Sequence, residues 1–309
     1  MTTTQLIYLV FGSSIILALI FDLGLLSKKN KVVSSKQALI QTFFWIILSL
    51  TFCGFIWFER GKADAISYLS AYLLEWSLSI DNIFVFIIIF SFFQVPKENY
   101  SRVLLLGILM AIVFRIIFIA IGSQLVARFD WVMYIFGIFL IYTGASMFFS
   151  KAENDFKPED SWAFKLIKKI FPISDENPHG SFFLKINGKT FLTQLMVVVI
   201  MLGLIDIVFA IDSIPAVFSI IPNPNDKLLI FSSNIFAILG LRSLFFLLRD
   251  AAAKFNYLQQ GIAFVLLFIG LKMIAEHWIH IPIWASLIVI LICIGGAILF
   301  SVYKSKKAK

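Results

Sequence analysis

Glu75 and Asp81 stand six residues apart in LLEWSLSIDNIFVF, and Asp206 and Asp212 stand six apart in LIDIVFAIDSIPAVF. Both pairs lie deep in apolar sequence of membrane length. A carboxylate near the centre of a bilayer costs about 2.5–3.5 kcal/mol on insertion scales, so four of them need a compensating partner. The candidates are a cation, a proton, or an Arg or Lys within the membrane.

On one straight helix, six residues turn about 600° and rise about 9 Å, which leaves the two acids of a pair about 120° apart. They would not both ligate one ion. The spacing therefore assigns Asp81 and Asp212 to a central site and Glu75 and Asp206 to relay, gating or second-site roles. Pro215, three residues after Asp212, removes a backbone donor and is expected to unwind the helix there, freeing carbonyls. Asp81 with Asn82 and Asp212 with Ser213 would then gather two carboxylates, an amide oxygen and a hydroxyl. Such an all-oxygen set suits Mg²⁺, Ca²⁺ or Mn²⁺, whereas zinc and copper sites recruit His or Cys. The competing reading is structural: Arg115, Arg242 and Lys272, also within apolar runs, neutralise the acids or serve as mobile counter-charges when the ion has left.

The elements that must position these residues follow from hydropathy. Of 309 residues, 60% are hydrophobic and 14% charged, far from the roughly 25% charge of a soluble domain. Nine stretches approach the ~20 apolar residues that span a bilayer: 5–26, 38–58, 66–93, 102–122, 131–150, 191–220, 228–248, 256–275 and 281–303. The predicted fold is all-α, a polytopic transmembrane bundle. Nineteen of the 26 Lys and Arg residues fall in the segments between spans, or beyond the last, on one side. The positive-inside rule then places the N-terminus outside and the C-terminus in the cytoplasm. The net charge of +8 is explained by these flanking lysines rather than by nucleic-acid binding. Cys53 and Cys293 lie within spans and have no metal-ligand spacing, and no nucleophile–base set, phosphate loop or cofactor motif points to an enzyme.

Aligning Asp81 with Asp212 places Glu75 on Asp206. The next span aligns GILMAIVFR (107–115) with NIFAILGLR (234–242), pairing Arg115 with Arg242, and the one after it aligns GASM (144–147) with GLKM (270–273). Three spans per copy is an odd number, so the copies enter the membrane from opposite sides, an architecture that puts transporter sites at the midplane between inverted repeats. The chain divides into two leading spans (1–65), a first repeat (66–150), a cytoplasmic linker (151–190), a second repeat (191–275) and a last span with a basic tail (276–309). In the linker, SWAFKLIKKIF reads as an amphipathic helix at the membrane surface. Asp22 is equally compatible with an interfacial position and a functional one. Glu276, His277 and His280 read as an interfacial cluster rather than a metal site.

SLSIDNIFVF (77–86), FAIDSIPAVF (209–218) and SNIFAILGLRSL (233–244), with DLG at 22–24 and YIFGIFLIYTG at 134–144, resemble the TerC family of integral membrane proteins, named for tellurium resistance and including Alx-type manganese exporters. The resemblance covers nearly the whole chain. It implies export of Mn²⁺ across an inner membrane, with Asp81, Asn82, Asp206 and Asp212 in the ion pathway and Glu75 beside them. The divalent ion is then substrate, membrane lipid is the surrounding partner, and no cofactor is expected. Family members often carry Glu three residues before the first Asp of the second motif, where this chain has Gly203. A rival expectation is a membrane scaffold or insertion factor, indifferent to the acids and dependent on the linker.

Overall fold

The computed structural model describes residues 3–21, 33–129, 131–149, 158–174, 180–186, 188–221, 223, 225–249, 257–275, 278–279 and 281–307. For several residues inside helices, Asp81 and Asp212 among them, only the backbone is described. Asp22, Glu276, His277 and His280 lie outside the described residues.

Nine helices of 18 residues or more are found among the described residues: α1 (Thr3–Phe21), α2 (Ser35–Arg60), α3 (Lys62–Phe92), α4 (Tyr100–Arg128), α5 (Trp131–Phe149), α7 (Gln194–Ile220), α8 (Lys227–Arg249), α9 (Leu258–Ala275) and α10 (Ile283–Lys307). Each coincides with one of the nine apolar stretches. By length and composition, Ser35–Arg60, Lys97–Arg128, Gln194–Ile211, Lys227–Arg249 and Trp284–Ser301 qualify for crossing a membrane, and Gln5–Ile20, Trp131–Met147 and Gln260–Ala275 are shorter apolar runs.

The helix ends explain why observed boundaries reach beyond the apolar runs. Ser34 caps α2 reciprocally: its Oγ accepts from the Gln37 N–H, and Gln37 Oε1 accepts from the Ser34 N–H at 3.2 Å. Such a box satisfies two orphan donors at once. Gly61 alone separates α2 from α3, at φ +95°, where a side chain would be strained. This single residue folds α2 and α3 into an antiparallel hairpin.

Three helix pairs form the bundle's centre: α3 against α8, α4 against α7, and α5 against α9. Additional contacts join α3 to α7 and α4 to α8. Helix α8 is almost wholly buried, its Ser232, Ser233, Asn234, Arg242 and Ser243 included. The outer faces of α1, α4, α5 and α10 instead expose Leu17, Ile121, Ile138 and Leu299, surface suited to lipid.

The α5–α9 contact is backbone to backbone. A Cβ built on Gly270 would lie 2.7 Å from the Gly137 carbonyl oxygen, and one on Gly144 would lie 2.8 Å from that of Ala263. Small residues at membrane helix interfaces permit this approach. Gly270→Ala is expected to push the helices apart and destabilise the protein by about 1–3 kcal/mol, read as a lower Tm in detergent. The same change at Gly295, where nothing lies within 4 Å, should be neutral.

Within the linker, Ser161 caps the amphipathic helix α6 (Trp162–Ile170), accepting from the Phe164 N–H at 3.2 Å. Ala163 and Ile167 are buried, while Trp162, Leu166 and Ile170 are exposed. The linker also contains a β-hairpin that the helical reading did not include. Strand β1 (Phe183–Ile186) pairs antiparallel with β2 (Lys189–Leu192), Phe183 opposite Leu192 and Ile186 opposite Lys189. Gly188 takes φ +77° between them. The Asn187-Gly188 dipeptide is the corresponding hairpin signal in the sequence.

The expected unwinding at Pro215 is corrected: α7 is helical from Gln194 to Ile220 with Pro215 inside it. Prolines are tolerated in membrane helices when surrounding groups and local adjustments satisfy the freed backbone. Pro215 still withholds an N–H from the Ile211 carbonyl, one turn before it.

Candidate charged site

Arg115, midway along α4 and 2% exposed, gathers partners from three other helices. Its Nε and Nη2 donate to the two carboxylate oxygens of Asp206 on α7 at 3.3 and 3.1 Å. Its Nη1 is bonded to Glu75 Oε1 on α3, and lies 3.2 Å from Ser213 Oγ on α7 and 3.3 Å from Asn234 Oδ1 on α8. Glu75 and Asp206 are 0% and 1% exposed. The planar guanidinium fork suits this arrangement, because it grips one carboxylate with two parallel bonds and still has a donor nitrogen for a second.

Local sequence sets up each contribution. Ser213 follows Asp206 by seven residues, two helical turns, so both lie on one face of α7. Asn234 donates its Nδ2 to the Ile230 carbonyl one turn back, at 2.9 Å. That bond turns Oδ1 toward Arg115. Asn234 was not singled out from sequence; the available signal was an amide in an apolar span.

The cluster is electrically unequal. One guanidinium faces two buried carboxylates, and Glu75 Oε2 makes no hydrogen bond among the described residues. Two aromatic groups flank this charged layer along α3. Toward Gly61, Phe52, Tyr68 and Phe236 pack together. Toward the opposite end, Phe90, Tyr100 and Phe245 pack together, with the Arg249 guanidinium 5.6 Å from the Tyr100 ring centre.

The structure distributes the other sequence-derived residues differently. Asn82 is buried on α3, whereas the side chains of its neighbour Asp81 and of Asp212 lie outside the described residues. Their helices, α3 and α7, pack on each other. Arg242, although aligned with Arg115, donates to Ser101 Oγ on α4 at 2.6 Å. Lys272 on α9 donates to the Ser219 carbonyl of α7 at 3.0 Å. Among the described residues no three His, Cys, Asp or Glu side chains gather into a metal-holding group. Cys53 and Cys293 are free thiols on α2 and α10.

Gly203 faces Met110 of α4: a Cβ on Gly203 would overlap Met110 Cε and lie 2.9 Å from its Cγ. The methionine fills the space that a side chain at 203 would need. Gly203→Leu alone is expected to lower Tm by overpacking. Pairing it with Met110→Ala should restore most of the loss, a coupling read from thermal melts of the two single variants and the double variant.

Long apolar helices around a buried ion-pair network, with apolar side chains turned outward, define a multi-pass helical membrane protein. The integral membrane protein TerC family matches residues 60–309, and the chain belongs to that family. It is 40% identical to an uncharacterized membrane protein of Myxococcus xanthus over 298 residues, covering 96% of this chain and 92% of the relative. An uncharacterized membrane protein of Rickettsia bellii is also 40% identical, with 91% and 92% covered. A protein of Escherichia coli strain K12, named as a candidate membrane-bound redox modulator, Alx, is 39% identical, with 89% and 88% covered. No solved structure matches the chain.

Proposed function

We propose that this protein is a transporter, not an enzyme, that exports divalent metal cations, foremost Mn²⁺, across an inner membrane by alternating access, with protons as the counter-ion. The observation that carries the proposal is the buried Arg115 cluster, which ties Glu75 to Asp206 across the two halves of the chain at mid-helix depth. Intramembrane ionisable groups facing a bundle interior mark ion pathways.

In this reading all nine long helices cross the membrane, with the N-terminus outside and the C-terminal tail in the cytoplasm. Helices α3–α5 and α7–α9 are inverted repeats. Support comes from their pairing: α3 against α8 corresponds to α7 against α4 under exchange of the copies. The α5–α9 contact has the same property. Gly144 aligns with Gly270 and Gly137 with Ala263, so the contact of Gly137 with Gly270 exchanges into that of Ala263 with Gly144.

Asp81 with Asn82 and Asp212 with Ser213 form the ion site on the two crossing helices. Arg115 acts as the resident counter-cation for Glu75 and Asp206, holding the halves together while the ion site is unloaded. The exposed Trp162, Leu166 and Ile170 of α6, beside Lys165, Lys168 and Lys169, rest the linker on the cytoplasmic lipid surface. The test is ion flux in liposomes containing the purified protein, comparing Mn²⁺, Ca²⁺, Mg²⁺ and Zn²⁺ with and without a pH gradient. Mn²⁺ flux coupled to proton movement is expected, and flux indistinguishable from protein-free vesicles for every ion overturns the proposal.

A further inference from the structure

Four polar side-chain atoms on α2 and α3 make no hydrogen bond among the described residues: Gln41 Nε2, Trp45 Nε1, Glu75 Oε2 and Ser79 Oγ. All four residues are 1% exposed or less. Buried polar groups are almost always satisfied by protein or by water, and each exception calls for an explanation. These four fall along one seam.

The register of the α2–α3 hairpin shows this. Near the Gly61 turn, Cys53 Sγ lies 3.4 Å from the Ala65 carbonyl oxygen, and one turn deeper Ser49 Oγ lies 2.9 Å from Tyr68 OH. Tyr72 stacks on Tyr68 one turn further, ring centres 6.4 Å apart. In an antiparallel pair, each further turn of about 3.6 residues advances both helices together. Trp45 then comes level with Tyr72, Gln41 with Glu75 and Trp76, and Ala38 with Ser79. Helix α8 closes the seam, since a Cβ at Gly240 would lie 3.8 Å from Trp45 Cβ and 3.9 Å from Trp76 Nε1. The seam thus carries hydroxyls at its Gly61 end and the Glu75 carboxylate at its deep end.

The mixture of donors and acceptors decides what belongs there. Trp45 Nε1 only donates, Gln41 offers an amide N–H, Glu75 Oε2 accepts, and Ser79 does either. A bare metal ion has nothing to offer an indole N–H, and an anion is repelled by Glu75. Water satisfies every member, and a polar site with two to four partners per molecule is what retains it.

We propose that the α2–α3 seam holds a file of ordered water running from the Ser49, Tyr68 and Tyr72 hydroxyls past Trp45 and Gln41 to Glu75 Oε2. On the transport reading above, this file is the proton route between the Gly61 end of the bundle and the charged cluster, in which Glu75 faces Arg115 of α4 and, through it, Asp206 of α7 and Asn234 of α8. It lies between α2 of the leading pair and α3 of the first repeat, closed by α8 of the second, which gives α2 a role outside the three-helix repeats.

The test is hydroxyl-radical footprinting of the full-length protein in lipid nanodiscs, with isotopically labelled water. Trp45, Tyr68 and Tyr72 should acquire solvent oxygen despite their burial, whereas Phe90 and Phe245, equally buried in an aromatic group, should not. Labelling of the first three at the level of those two phenylalanines overturns the water file, and this readout needs neither a variant nor any transport. Trp45→Phe combined with Gln41→Leu should reduce labelling of Tyr72 to the Phe90 level. In liposomes the same double variant should keep metal flux and lose proton counterflow; retained counterflow with the label lost overturns the proton route. Absence of metal flux in the wild type would sink the transport reading and leave the footprint to judge the file alone.

Discussion

Replacing Arg115 with Met is expected to destabilise the protein by about 3–5 kcal/mol, because two buried carboxylates lose their common counter-ion. Arg115 binds both acids, through Nε and Nη2 to Asp206 and through Nη1 to Glu75. Arg115→Lys should recover little, since an ammonium cannot grip both Asp206 oxygens and still present a second nitrogen to Glu75. The loss should be largely reversed by removing the acids as well, in Arg115→Met with Glu75→Gln and Asp206→Asn. An unpaired buried charge is far more costly than an uncharged replacement of the whole set. Thermal melts of the single, double and triple variants measure the coupling. Additive losses would show that the cluster is not one electrostatic unit.

Loss of either central acid, by Asp81→Asn or Asp212→Asn, is expected to abolish Mn²⁺ export while leaving the fold intact. A divalent cation leaving water needs formal negative charge, and an amide supplies a neutral oxygen of similar size in its place. Cells carrying either variant should accumulate Mn under Mn load to the level of cells lacking the protein, at unchanged membrane abundance. Wild-type Mn levels in both variants would remove these residues from the ion site. A scaffold role would instead leave both variants active and make the 151–190 linker indispensable, so linker replacement alongside the acid variants separates the two readings.

The helices were legible because membrane-length hydropathy does not depend on which helix packs against which. The predicted stretch 38–58 became Ser35–Arg60 and 228–248 became Lys227–Arg249. The differences are the polar ends, where Ser34 and Asp226 cap helices: Asp226 Oδ1 accepts from the Leu229 N–H at 3.4 Å. The hairpin at 183–192 escaped the reading, since an Asn-Gly turn between two four-residue strands carries little weight beside runs of 20 apolar residues. Pro215 misled for a related reason. Its missing N–H is a local fact, whereas the continuity of α7 depends on the helices packed around it.

The sequence by itself determined that the chain is a helical membrane protein and that acids and bases sit within its apolar segments. These follow from composition and spacing, which act within one helix. Only the tertiary structure decided which charges meet. Six residues of helix hold Glu75 and Asp81 apart, and no spacing along the chain brings Glu75 to Asp206; the crossing of α3, α4, α7 and α8 does so through one guanidinium. Packing placed Arg115 between Glu75 and Asp206, and Arg242 beside Ser101.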